Sequence, residues 1–304
     1  MVSDLASCES NTTGIKHAPS GTALATATLR ALAAHDPRQE IRGADNLAEL
    51  FLTEKQKAPL KDAKVRDWVM KNRVTPGAYE FMIARTAFFD EVVQNALSNG
   101  VPQLVLLGAG YDSRPYRFAH LMSDAIVFEL DALPTQLRKK EILECGGVRV
   151  PSTVRFVPID FVTDDLESTL LSAGFSKEKT ALFVWEGVTY YLSRDAVEKT
   201  LAAVRALSGR GSSICFDVAS LSDEALREDG AKKLRQKMSS EHSSEPTRFG
   251  IPSGKLEAFL ANHGYAIEEI FTSAEMEAKY LTLSDGSTVG KVPGLFNLVR
   301  ASVA

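Results

Sequence analysis

The chain has 304 residues, 44% of them hydrophobic and 24% charged, a composition that excludes disordered and fibrous classes and leaves room for a sizeable buried core. A formal net charge of -4 argues against a large nucleic-acid surface. The three cysteines, Cys8, Cys145 and Cys215, are scattered and form no C-x-x-C, so neither a disulfide framework nor a zinc ribbon is indicated and a reducing, cytoplasmic setting is expected. The first residues lack a basic segment followed by an apolar one, and no apolar run is long enough to span a bilayer, so no leader and no membrane partner are expected.

In chain order, residues 1–20 are polar and rich in Ser, Thr and Asn, and are expected to be a flexible arm. Residues 21–98 carry helical spacing of apolar residues, through Leu32, from Ala44 to Leu52 and from Ala78 to Leu97, and are expected to form an α-helical cap. The texture changes at Gly100. Gln103 to Leu107 is a short continuous apolar run, as in a strand buried on both faces. Similar runs follow at Ala125–Phe128, Val154–Val157, Ala181–Trp185 and Ser213–Asp217, separated by helix-compatible segments such as Pro134–Leu143 and Arg194–Leu207. Such alternation predicts an α/β core over 99–304 built on a doubly wound sheet. The polar stretch within 222–250 is expected to be a lid insertion. A helix from Ser253 to His263, with Ser253 as its cap, and strands at Tyr265–Phe271 and Leu295–Ala301 complete the expected list.

The first strand runs into Leu107-Gly108-Ala109-Gly110, a turn in which a Cβ at either glycine would crowd a ligand lying on the backbone. The second strand ends in an acidic pair, Glu129 and Asp131, and Asp131 lies 23 residues beyond Gly108, close to the roughly 20-residue spacing of a carboxylate that binds ribose hydroxyls. These features fit an adenosine-bearing ligand. A dinucleotide is disfavoured because Ser113 stands where a third glycine is usual and the turn continues as the bulky Tyr111-Asp112-Ser113-Arg114-Pro115-Tyr116-Arg117. A nicotinamide-dependent oxidoreductase therefore remains only as an alternative.

Residues Leu106 to Phe118 resemble the LGAG-x-D-[ST]-R-x-x-R signature of the leucine carboxyl methyltransferase family and its bacterial and fungal relatives. The similarity continues through Phe128-Glu129-Leu130-Asp131, Val157 to Phe161 and Trp185 to Leu192, over roughly residues 80 to 220, with weaker echoes at Arg30-Ala31 and Phe249-Gly250. The resemblance implies a Rossmann-like class I methyltransferase fold with a seven-stranded, mostly parallel sheet whose last strand is antiparallel, and S-adenosylmethionine as methyl donor. It further implies that Arg85 pairs bidentately with the donor's methionine carboxylate and that Gly108, Ala109, Gly110 and Asp112 form the turn beneath the donor. Glu129 and Asp131 would serve the ribose, Asp160 and Phe161 the adenine, and Glu186 the methionine amino group.

Family members that methylate a protein's C-terminal carboxylate carry an Arg beside the adenine-site acid, where this chain has Phe161 and Val162. The acceptor is therefore expected to be a hydroxyl or carboxylate of a small molecule, with a protein or peptide carboxylate as the alternative. Tyr190 and Tyr191, just after the fourth strand, could position it, and His242 in the insertion is the one histidine considered as a base. Arg114 and Arg117 are read as partners of Asp112 and of helix ends. No spacing of His, Cys or carboxylates points to a metal. The acceptor's identity and the oligomeric state are not legible.

Overall fold

The computed structural model describes residues 20–221 and 248–303. The expected arm, except residue 20, most of the expected lid and the candidate base His242 lie outside them.

The described chain opens with α1 (Gly21–Ala34), whose first turn is capped by Ser20, the hydroxyl oxygen accepting from Ala23 N–H. Ala27, Ala31, Leu32 and Ala33 form its buried face. The helix expected over Ala44–Leu52 is only a 3-10 turn at Ala48–Phe51. Asp45 accounts for the difference, because its carboxylate accepts from Leu47 N–H and so competes with a helical backbone pattern. Two short helices, α2 (Glu54–Lys61) and α3 (Ala63–Asn72), follow, and α3 buries none of its residues. Next comes α4 (Ala78–Ser98), which buries 14 of its 21 residues and packs against α1 and the sheet. A helix apolar on so much of its circumference belongs in the interior.

The sheet comprises β1 (Gln103–Leu107), β2 (Ile126–Asp131), β3 (Val154–Pro158), β4 (Ala181–Trp185), β5 (Ser213–Leu221), the two-residue β6 (Ile251–Pro252), β7 (Tyr265–Phe271) and β8 (Phe296–Val303). Its order is β3-β2-β1-β4-β5-β8-β7, with β6 paired to β5 beside the main path. Neighbours from β3 to β5 are parallel, whereas β8 runs antiparallel to both β5 and β7. The expected seven-stranded sheet with an antiparallel last strand is thus present. Every residue of β1 and β4 is buried, as their unbroken apolar runs require.

Between strands lie α5 (Arg114–Arg117), α6 (Leu133–Cys145), α7 (Leu166–Ser172), α8 (Arg194–Leu207), α9 (Leu256–Asn262) and α10 (Ser273–Tyr280). The expected cap at Ser253 is not one: its N–H continues the pairing with Leu221, and α9 starts three residues later, after Gly254 at φ +73°. Two cores flank the sheet. One joins α4 to alternate residues of β1, β4, β5 and β8, and the other joins the opposite residues of those strands to α7, α8 and α9. The strand order switches between β1 and β4, which run parallel, so their carboxyl ends face one edge, where open α/β sheets bind ligands. Among the described residues no helix is long and apolar enough to cross a membrane.

Candidate active site at the carboxyl edge of β1 and β4

Beyond β1 the backbone turns through Gly108 at φ +72° and Gly110 at φ +45°. The N–H groups of Gly108 and Ala109 both donate to Leu130 O at 2.9 Å, and Gly110 N–H donates to the Asp131 carboxylate. The turn is therefore fastened to the end of β2. A Cβ on Gly108 would stand 2.6 Å from Val188 Cγ2, and one on Gly110 3.2 Å from Ala23 Cβ. Protein neighbours, as well as any ligand, thus demand glycine here. Ser113 is fully buried, donating its hydroxyl to Asp45 at 2.6 Å and accepting from Arg117 Nε at 2.8 Å. The helix after the turn, α5, has only 4 residues.

Beneath the turn lies a buried set of charges. Arg114 reaches Asp90 at 2.7 Å, Asp112 at 2.7 Å and Glu186 at 2.6 Å, while Arg117 pairs with Asp90 at 2.8 Å. Both arginines thus have internal partners, as expected of buried charges. Burial alone would raise the Asp112 pKa, but Arg114, Arg30 and Lys139 outweigh it and hold the carboxyl at about 2. Arg85, projecting from α4, places Nη1 3.1 Å from both the Tyr190 hydroxyl and Asp217 Oδ2, and Nε 3.0 Å from Glu186 Oε1.

Asp217, near the middle of β5 and fully buried, was not among the residues the sequence singled out. Its Oδ1 accepts from Gly187 N–H at 2.7 Å and its backbone carbonyl from the Thr189 hydroxyl at 2.6 Å. Burial raises its pKa, while Arg85 and Gly187 N–H act in the opposite direction. The only local sign of it is an acid closing an apolar run, the same sign carried by Asp131 and Glu186.

The remaining candidates divide. Ile159 N–H donates to Asp131 O at 3.0 Å, which sets the start of the Asp160-Phe161 segment beside the end of β2. Asp160 is exposed, with Oδ1 accepting from Val162 N–H, and Phe161 is half-buried. Glu129 is fully enclosed instead, its two oxygens taken by the Tyr116 hydroxyl at 2.7 Å and Lys139 Nζ at 2.6 Å, which commits it to an internal ion pair rather than to a ligand. Tyr190 is buried with its hydroxyl between Arg85 and Asp217, and burial pushes its pKa far up. That position makes it a wall of the arginine pocket rather than an open contact for an acceptor. Tyr191 packs edge-on against it, ring centroids 4.7 Å apart.

The model of the leucine carboxyl methyltransferase family matches residues 23–205, which span the turn, β1 to β4 and α8. The chain belongs to this family. Among similar relatives, the Bacillus subtilis protein named "Putative S-adenosyl-L-methionine-dependent methyltransferase YktD" is 34% identical over 54% of this chain and 51% of its own length. A Mycobacterium tuberculosis relative with the same description is 28% identical over 88% of this chain and 86% of its own. With the first three relatives the match spans 51% to 63% of their length. In fold, the chain is similar to a DUF574 family protein from Streptomyces avermitilis (TM-score 0.60, 13% identity, 91% and 97% of the two chains) and to a Thermobifida fusca chain described as a "putative methyltransferase" (TM-score 0.58, 15% identity, 91% and 94%).

The residues present fit the donor that this family's name and its relatives' names imply. Three buried polar atoms, Arg85 Nε, Glu186 Oε1 and Arg114 Nη2, have no well-aligned hydrogen-bond partner among the described residues, although the first two form an ion pair at 3.0 Å. Buried polar groups held by a contact without an aligned hydrogen bond retain capacity for a further partner, which points to a ligand. An arginine edge and a carboxylate oxygen that touch at 3.0 Å without an aligned hydrogen bond present both signs of charge, which matches a zwitterionic amino-acid tail. Asp131 ends β2, and the Asp160-Phe161 segment begins beside it.

Proposed function

We propose that the protein is an S-adenosylmethionine-dependent O-methyltransferase acting on a hydroxyl or carboxylate of a small molecule. The observation that carries this reading is the mixed-sign buried pair, Arg85 and Glu186, in contact at 3.0 Å without an aligned hydrogen bond, together with a glycine turn bonded to Asp131. In this assignment Arg85 holds the donor's carboxylate, Glu186 its ammonium, Asp131 the ribose hydroxyls, and Asp160 with Phe161 the adenine. A sulfonium donor supplies an electrophilic methyl carbon with a neutral thioether as leaving group, so the protein's task is mainly to place an acceptor oxygen in line at about 3 Å and to keep water out.

A carboxylate acceptor needs no base, whereas a hydroxyl acceptor needs one within hydrogen-bond reach. The family's name favours a carboxylate. Phe161 and Val162, in place of the arginine carried by members that act on protein C-termini, favour a small molecule over a protein chain. We place the helices of residues 21–98 over the acceptor side on the same reading.

Two measurements test it. Calorimetry with S-adenosylmethionine and S-adenosylhomocysteine should give binding of both, and binding of neither overturns the proposal. Labelled methyl from the donor should then pass to a member of a panel of phenols and carboxylic acids, or to a metabolite in an extract that gains one methylene in mass. Donor binding without transfer to anything would instead mark a donor-binding protein without catalysis.

A further inference from the structure

We infer that Asp217 is a positioning residue for the amino-acid end of the donor, fixing Arg85 so that its Nε–Nη2 edge faces the ligand carboxylate; this rests on the methyl-donor reading above. Arg85 presents five N–H donors in a rigid fork. The two on Nη1 are taken by Asp217 Oδ2 and the Tyr190 hydroxyl, each at 3.1 Å. On the other edge, among the described residues, Nη2 meets the Met82 thioether at 3.5 Å, a weak acceptor, and Nε has no aligned partner although it is ion-paired with Glu186 Oε1 at 3.0 Å. Side-on, Nε and Nη2 are the pair that a carboxylate grips with two parallel bonds. The edge held without an aligned oxygen acceptor is thus the bidentate one, and Asp217 clamps the other.

The same carboxylate sets the second half of the pocket. Its Oδ1 holds Gly187 N–H at 2.7 Å, directly after Glu186, so both groups assigned to the zwitterion are referenced to one buried side chain. Gly187, at φ +73°, leaves the room this needs, since a Cβ there would stand 3.3 Å from Arg85 Nη1 and 3.6 Å from Tyr190 Oη. The closure joins residues from α4, the turn after β4 and β5.

The test compares S-adenosylhomocysteine with 5′-methylthioadenosine, which shares the adenosine and thioether but lacks the amino-acid tail. Asp217→Asn keeps an acceptor for Gly187 N–H and removes the charge that clamps Arg85. It should weaken the first ligand by at least about tenfold, the scale of one charge-assisted hydrogen bond, and leave the second unchanged. Tyr190→Phe removes the other Nη1 partner and should show the same selectivity at about two- to fivefold; it decides the matter if Asp217→Asn does not fold. Equal loss of both ligands, or wild-type affinity for both in each variant, overturns the inference. Failure of the unmodified protein to bind S-adenosylhomocysteine overturns the functional reading itself and is thereby told apart.

Discussion

Arg114 shows how far single side chains decide this site. It touches Asp90, Asp112 and Glu186, so Arg114→Met would leave three buried carboxylates without their common cation. Removing one partner of a buried ion pair typically costs about 3–5 kcal/mol, and urea unfolding should show a loss of that size. Arg194→Met, which removes an exposed pair with Glu198, should stay within about 0.5 kcal/mol. Gly108→Ala places a side chain at φ +72° and against Val188, so it should destabilise by more than about 1 kcal/mol, with Val188→Ala recovering the steric part. Asp131→Ala should weaken 5′-methylthioadenosine and S-adenosylhomocysteine alike, by about 1–3 kcal/mol, because its assigned contact is to the ribose. At this scale the glycines and Asp131 are legible from spacing, because a turn and a strand end are local. Asp217 is not, since its meaning depends on Arg85, which lies 132 residues away.

The elements sort by how much of their reason lies in the local sequence. The strands β1, β4 and β7 have the bounds that the sequence predicts, whereas β3, β5 and β8 extend past theirs because pairing, not hydropathy, ends them. Helix α3 carries no buried residues, so periodicity has nothing to register, and α10 buries only Met276. Both α2 and α10 nevertheless announce themselves by reciprocal caps, Thr53 with Gln56 and Thr272 with Glu275, a T-x-x-[EQ] spacing that apolar periodicity does not detect. Thr272→Ala should cost about 1 kcal/mol in urea unfolding if that cap holds α10 against α4.

For the molecule as a whole, the antiparallel last strand is implied by family resemblance, whereas the strand order is not legible; nothing in hydropathy says that β8 enters between β5 and β7. Buried charge also gives the fold a pH dependence whose sign can be worked out. Asp112 is held at about 2 against an ordinary 3.8, so its contribution is present above about pH 4 and is lost as pH falls toward 2, about 2 kcal/mol in all. Denaturant midpoints at pH 7 and pH 3 should differ by less in Asp112→Asn than in the unmodified protein. Ties across residue 98 carry another consequence. Arg30 donates to Tyr111 O at 2.6 Å, Asp45 accepts from Ser113, and Asp90 pairs with Arg114 and Arg117. The part before residue 98 thus supplies a carboxylate to Arg114 and Arg117, and the part after it supplies Glu186 and Asp217 to Arg85, so neither is a portable module. A chain cut at that point should work as a split protein, inactive as either fragment and restored when the two are produced together.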